Sequence, residues 1–560
     1  MNTSQIHLDY PEKTMFQMIE QIAKQYPKEP AYELYGNKTS YADFVKKIET
    51  AGKALMNIGI GKDDAVTICM PNIPQSLDCF YALNRIGAVA NMIHPQSALE
   101  EITFYLNYSK SKAILVPDMF YEKVIEALKS VDHEVKVIVA RIQDELPLHL
   151  KLIYTVKAGK QYMKYPLKGQ GVLWTEFIKT GQSQTLPEIH YEKDRTAVIL
   201  YSGGTTGVPK GICLTDMNFN ALALQAKTAI EEDLGIGLKM LSCMPMFHGF
   251  GLGINIHTIL VNGACCILMP TFNPKTYADM IKKKKPNYIA GVPTIFEALL
   301  HMPQLNGVDL SFMKGMFCGG DSLSVELKKK IDTFLKEHNA TIQVREGYGL
   351  TECVTASCLT PRDTYKPGSI GIPFPDTYYC IVQPGTDEEL PYGQEGEIIL
   401  RGPTVMKGYL DHEAETAATL RKLADGNIWL YTGDLGKIDE DGYVYFSQRI
   451  KRMIISNGYN IYPGRVENAI DSCEEVSYSC VIGVKDPRRM KRVRAYIVLK
   501  DGYEPSEETK TKIMEKVKRS VAGYALPKEI VFRKELPKTL VGKVAFRKLE
   551  EEAEAEEQKA

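Results

Sequence analysis

Residues 201–215 read YSGGTTGVPKGICLT, and three residue types recur there that together suit a polyphosphate. Gly203, Gly204 and Gly207 let backbone amides come close to an anion. Ser202, Thr205 and Thr206 add hydroxyl donors, and Lys210 adds a positive charge. The apolar run AVILY before the loop reads as a strand, so these donors stand at a strand end. The spacing is not that of a Walker A loop, because no Gly-Lys-Ser/Thr follows. A flexible Gly/Thr turn is the plain alternative, but glycines, hydroxyls and a lysine in one loop favour phosphate.

Two further stretches carry compatible chemistry. Residues 347–352 read GYGLTE. A ring beside two glycines can lie flat on a purine, which makes Tyr348 a candidate for adenine with Gly347 next to it. Thr351 and Glu352 can contact phosphate and hold Mg²⁺. Residues 431–434 read YTGD, and the Asp434 carboxylate at a tight turn can accept both hydroxyls of a ribose. Either stretch alone is equally an ordinary turn.

In this order and spacing the motifs resemble those of the adenylate-forming superfamily, which includes acyl-CoA synthetases, aryl-CoA ligases, luciferases and nonribosomal peptide adenylation domains. Residues 449–467, RIKRMIISNGYNIYPGRVE, and 537–549, PKTLVGKVAFRKL, extend the resemblance over nearly the whole chain. The resemblance implies that the loop from Ser202 to Lys210 grips the pyrophosphate end of ATP. It implies that Tyr348 stacks on adenine, Thr351 bonds the α-phosphate and Glu352 binds the metal. Asp434 and Arg449 then hold the ribose, Lys451 is the hinge, and Gly458 lies on the loop presented to the pantetheine of CoA. Lys543 bridges the attacking carboxylate and the α-phosphate. Residues 318–321, CGGD, resemble the segment against adenine, through Gly319 and Gly320. Residues 245–253, PMFHGFGLG, resemble the segment beside the substrate carboxylate, with His248 as its gate. Phe247, Gly249 and Gly253 are then expected in the acyl pocket, with Thr294 of GVPTIFEALL on another wall. The chain departs from the family's usual pattern at two places. An acid is usual where Arg452 stands, and a basic residue where Phe546 stands.

What this implies is an ATP-dependent acid–CoA ligase. It forms an acyl-adenylate with release of pyrophosphate, then a thioester with release of AMP, using ATP, Mg²⁺ and CoA. Small residues beside aliphatic ones suggest a deep slot, hence a medium or long fatty acid. An aryl acid is the near alternative. Transfer of the acyl group to a carrier protein and a non-catalytic nucleotide or acyl sensor are the competing classes.

The elements that must position these residues are legible more coarsely. A chain of 560 residues exceeds one hydrophobic core. Short apolar runs at 65–70, 113–117, 136–140 and 197–201 read as buried strands, and they alternate with amphipathic helical patterns such as the one from Phe44. Ser324 is a candidate N-cap for a helix carrying Leu327, Ile331, Phe334 and Leu335 on one face. The expected fold is therefore α/β. A large N-terminal domain, 1–448, holds mixed and parallel sheets and a small barrel-like β part. A hinge follows at 449–452, and a small mobile α+β domain at 453–560. The apolar stretch 241–270 is interrupted by polar residues and reads as core rather than as a membrane span. The tail from 550 reads as frayed helix or disorder.

The net charge of -1 argues against a nucleic-acid partner. Twelve scattered cysteines with no CxxC pair, and no signal-peptide pattern at the N-terminus, fit a cytoplasmic protein. Residues 146–169 pass from apolar to lysine- and tyrosine-rich, and read as a solvated excursion or as a weak peripheral membrane contact. A small-molecule carboxylic acid and a homodimeric copy complete the expected partners.

Overall fold

The computed structural model describes residues 6–154, 171–202, 209–452, 454–456, 459–461, 463–486, 490–521, 523–539 and 544–557. The apolar runs form strands Ala65–Ile68, Ala113–Pro117, Lys136–Ala140 and Thr196–Ser202. They are buried along most of their length, as parallel strands covered on both faces must be. They lie in an eight-stranded sheet whose edge is completed antiparallel by Lys210–Thr215 and Gly408–Tyr409. A nine-stranded sheet carries the second half of the large domain. Its strands Cys265–Leu268, Lys239–Ser242, Tyr288–Gly291, Gly315–Cys318 and Val344–Tyr348 run parallel, side by side in that order.

One apolar core joins the two sheets. It contains Val66 and Ile68 from one, Leu241, Ile267 and Ile289 from the other, and residues of helices Tyr41–Asn57 and Pro74–Arg85 between them. Every residue of Pro74–Arg85 except Arg85 is buried, so this helix lacks the polar face that a surface helix needs. The helix foreseen from Phe44 begins at Tyr41, because the Ser40 side chain accepts from the Asp43 N–H and caps it there. Ser324 caps helix Val325–Glu337 in the expected way, accepting from the Leu327 N–H.

An antiparallel sheet of Tyr378–Val382, Gly396–Arg401, Leu420–Lys422, Ile428–Ile438 and Val444–Arg449 stands where the small β part is expected. Beyond the turn Ile450–Arg452, strands Val476–Asp486, Met490–Leu499 and Glu529–Phe532 pack with helices Pro463–Asp471, Glu507–Ser520 and Phe546–Glu557 around cores of their own.

The stretch 241–270 is buried as foreseen, and no described helix is long and apolar enough to cross a membrane. Within it, however, Phe250–Thr258 winds as a π-helix, which the residue pattern does not announce. The acidic tail is corrected. Residues up to Glu557 form a docked helix with Leu549 and Ala553 buried. Its carboxylates pair with the sheet: Arg494 Nη1 lies 2.9 Å from Glu556 and Arg533 Nη2 lies 3.2 Å from Glu552. A run of glutamates becomes structured here because one helical stripe is apolar and the sheet beneath supplies Arg494 from a strand and Arg533 from just past one.

Candidate active site

The carboxyl ends of Gly315–Cys318 and Val344–Tyr348 open on a cavity of about 460 Å³. In open α/β sheets this is where ligands sit. Gly319, Gly320, Gly347, Thr351 and Glu352 line it, as do Ser202, Lys210, His248 and Arg449. Residues far apart in sequence are thus brought to one opening.

Strands Thr196–Ser202 and Lys210–Thr215 pair with Ser202 opposite Lys210, which sets the two ends of the glycine-rich loop. Gly203, Gly204, Thr205, Thr206 and Gly207 lie outside the described residues, as do Gly458 and Lys543. Lys210 Nζ stands 4.9 Å from the Tyr409 ring centre and 3.9 Å from a Glu415 oxygen. Tyr409 donates its hydroxyl to Glu352 Oε1 at 3.0 Å. Burial pushes the Glu352 carboxyl above its ordinary value. Among the described residues no group of three or more His, Cys, Asp or Glu side chains is placed to hold a metal ion by itself. A single carboxylate suits Mg²⁺ carried mainly by phosphate and water oxygens, and does not suit a cage made of protein alone.

Asp434 is 1 % exposed and held from two sides. Tyr348 donates its hydroxyl to Oδ2 at 2.7 Å, and Arg449 Nε lies 3.2 Å from Oδ1. The Asp434 charge raises the Arg449 pKa, and burial, with Asp434 second, raises that of Tyr348. The Tyr348 ring also packs at 5.9 Å against Phe446. Glu397, which the sequence does not single out, lines the cavity and accepts the Gly433 N–H at 3.0 Å. Nothing in the stretch around Glu397 sets it apart from any strand glutamate. Lys451 falls in the turn Ile450–Arg452.

The cavity continues away from this polar end. Ala226, Ile230, Leu234, Met240, Ile254 and Tyr288 line its far part, beneath helix Asp216–Ala229 and the π-helix. Tyr288 is at the opposite end of the parallel strands from Gly319, since Gly291 pairs with Cys318. Four strand residues at about 3.3 Å each set Tyr288 roughly 13 Å from Gly319 along the strands. The floor's polar atoms are satisfied: Tyr288 donates its hydroxyl to the Asp233 carbonyl, and Thr258 donates its own to the Gly253 carbonyl at 2.8 Å. His248 lines the cavity with Nδ1 accepting the Phe250 N–H at 3.2 Å, so the neutral ring carries its proton on Nε2.

Four residues expected at the acyl pocket are elsewhere. Phe247 packs against His94 at 4.4 Å, and Thr294 is exposed on helix Pro293–Leu300. Gly249 and Gly253 do not open space; they allow close packing. A Cβ at Gly249 would fall 1.7 Å from the Val354 carbonyl oxygen, and one at Gly253 would fall 2.8 Å from Leu222. The sequence shows that small residues occur there, not which neighbours press on them.

Residues 19–410 match the AMP-binding enzyme family, and residues 465–543 match the AMP-binding enzyme C-terminal domain. The chain belongs to the AMP-binding enzymes. This AMP-binding enzyme is 34% identical to the long-chain-fatty-acid–CoA ligase of Bacillus subtilis (strain 168) over 553 residues, 97% of this chain and 95% of that protein. The structure resembles the Mycobacterium tuberculosis fatty acyl CoA synthetase with a TM-score of 0.72 at 25% identity, covering 98% of this chain and 99% of that one. It resembles ATP-bound MatB from Rhodopseudomonas palustris with a TM-score of 0.81 at 24% identity, covering 96% and 99% of the two chains, a likeness of fold.

Proposed function

We propose that the protein is an ATP-dependent fatty acid–CoA ligase. The observation that carries the substrate class is the cavity itself, polar at the strand ends and aliphatic along its depth to Tyr288. A depth of roughly 13 Å, estimated from the strand rise, exceeds what an aromatic ring fills and leaves room for an extended chain. The names of the Bacillus and Mycobacterium relatives support the same class.

In the first step a carboxylate oxygen of the acid attacks the α-phosphorus of ATP. The bond to the β-phosphate oxygen breaks and pyrophosphate leaves. Lys210 and the loop from Ser202 hold the leaving group, and Thr351 bonds the α-phosphate. Lys543 stabilises charge between carboxylate and phosphate. His248, donating from Nε2, orients the carboxylate. Bound Mg²⁺, held by Glu352, would neutralise the pyrophosphate. In the second step the CoA sulfur, having lost its proton, attacks the acyl carbon. The carbon–oxygen bond to AMP breaks, and the thioester forms. The division into 1–448, a hinge at 449–452 and 453–560 belongs to the same proposal, supported by separate cores on either side. So does a cytoplasmic location, supported by twelve free, buried cysteines.

AMP release from ATP tests the proposal, measured across short, medium and long fatty acids and aryl acids, with and without CoA. CoA-dependent turnover peaking on fatty acids supports it. A peak on aryl acids replaces the substrate class, and pyrophosphate exchange without CoA-dependent turnover replaces the acceptor with a carrier protein.

One surface favours an added reading, a weak contact with an anionic membrane. Leu148, Leu152 and Ile153 on helix Leu148–Tyr154 are 76%, 63% and 51% exposed. Lys157, Lys160, Lys164 and Lys168 follow in sequence with no acid among them. Co-flotation with phosphatidylserine vesicles, lost in Leu148→Asp/Leu152→Asp, checks this; no flotation of the unaltered protein removes it.

A further inference from the structure

The two positions that depart from the family's usual pattern, Arg452 and Phe546, are packed against each other. The guanidinium carbon of Arg452 lies 4.9 Å from the centre of the Phe546 ring. The same guanidinium reaches helix Pro463–Asp471, with Nη2 2.5 Å from Glu467 Oε1, and donates to the Val481 carbonyl at 3.4 Å. Glu467 Oε1 in turn accepts the Val481 N–H at 2.8 Å. Arg452 therefore joins three pieces of chain: the turn Ile450–Arg452, the helix–strand pair holding Glu467 and Val481, and the start of helix Phe546–Glu557.

Phe546 stands at the foot of a closed stem. Lys538 and Val544 form an antiparallel bridge, and the Ala545 N–H donates to the Pro537 carbonyl at 2.7 Å. Lys543 lies between those bridge residues in sequence. The chain is thus tied at 452, 467 and 546, and the third tie is three residues from Lys543. An acid at 452 would meet Glu467 as a like charge, and a base at 546 would be needed to neutralise both. Here the cation stands on the hinge side, and position 546 offers an aromatic face to it. Whether a cation at 546 can serve Glu467 in its place is what the double variant measures.

We propose that Arg452 is a positioning residue for adenylation: by holding Glu467 and Phe546 together it sets where the stem that bears Lys543 stands relative to the hinge. This rests on the ligase reading, in which Lys543 acts in the first step and departs before the second. The guanidinium touches no reacting atom, so its loss bears on placement and falls on the half-reaction that needs Lys543.

The test uses full-length protein and two assays, pyrophosphate–ATP exchange and thioester formation from synthetic acyl-adenylate plus CoA. An error of about 1 Å in a reacting group costs up to roughly 10²-fold, so Arg452→Ala is expected to lose exchange by about tenfold or more while keeping thioester formation within about twofold. Arg452→Asp is expected to be worse in exchange, and Arg452→Asp/Phe546→Arg to recover it to within about threefold, as coupled neighbours do. Equal losses in both assays, or a double variant no better than Arg452→Asp, overturn the proposal. Should Arg452→Ala fail to fold, Arg452→Lys makes the same test, since it keeps the charge and loses the planar stack. Lys543→Ala run alongside separates the two claims. If it keeps exchange, the role given to Lys543 falls and this proposal with it, while the ligase reading stands; if it loses exchange while the Arg452 variants behave as structural lesions, this proposal alone falls.

Discussion

Asp434 and Arg449 face each other as register partners across the antiparallel strands Ile428–Ile438 and Val444–Arg449, with Nε 3.2 Å from Oδ1. The second carboxylate oxygen takes the Tyr348 hydroxyl. A carboxylate so enclosed cannot be neutralised without leaving Arg449 short of its counter-charge. The motif proposed to hold the ribose is therefore also a structural tie between two parts of the large domain.

Asp434→Ala is accordingly expected to raise the KM for ATP in pyrophosphate exchange by about thirtyfold or more, roughly the 2 kcal/mol of a hydrogen bond to a charged group. Tyr348→Phe keeps the ring and releases one carboxylate oxygen; it is expected to raise that KM less, by about tenfold, near the 1.5 kcal/mol end of the same range. An Asp434→Ala enzyme with unaltered KM would remove Asp434 from the nucleotide site.

Lys543 is expected to divide the two half-reactions. Lys543→Ala should lose acyl-adenylate formation by about 10²-fold or more, the scale of removing one stabilising donor, and keep thioester formation from supplied adenylate. Single-turnover measurement of each step decides, and an equal loss in both contradicts the assignment.

Chain length is expected to respond at the cavity floor. Met240 lines it and is 2 % exposed in strand Lys239–Ser242. Met240→Trp should shorten the slot, lowering kcat/KM for the longest acid used by about tenfold or more, at a packing cost of roughly 1–3 kcal/mol in stability. Activity on short acids should persist. A length profile identical to that of the unaltered enzyme would place the acyl chain elsewhere.

Burial lifts the Glu346 carboxyl to about 8, although it accepts the Leu323 N–H at 2.9 Å. The folded pKa lies above the ordinary one. Its contribution to stability is therefore complete below about pH 4.5 and declines as the pH climbs through 8. Glu346→Gln keeps the acceptor and removes the charge. It is expected to flatten the fall in Tm between pH 5 and 8 and to raise Tm at pH 8, by differential scanning calorimetry. A pH slope unchanged by the substitution would show that Glu346 is not its source.

Much of the site is legible in the sequence because its chemistry needs particular residue types at short spacings. Glycines with hydroxyls and a lysine at 202–210, a Thr–Glu pair at 351–352 and an acid after a turn at 434 are local signals. Strands and caps are legible for the same reason: Ser324 caps the helix that follows it through a contact three residues away. The family follows from these local motifs taken in order.

What only the tertiary structure decided was contact between distant residues. Glu397 and Tyr409 come from strands with no chemical signature, and they reach the cavity because a sheet turns them there. Gly249 and Gly253 looked like room for a ligand and are instead where neighbours press close, the Val354 backbone on the first and the Leu222 and Val354 side chains on the second. The glutamate-rich tail looked solvated and is docked, because the arginines that pair with it, Arg494 within one strand and Arg533 just past another, come together in a way no linear pattern records. The sequence shows Arg452 and Phe546 as two separate oddities; folding makes them one contact. Local spacing determines which groups are present, whereas the cavity's depth and these pairings depend on how elements pack, a long-range property that short-range periodicity does not carry.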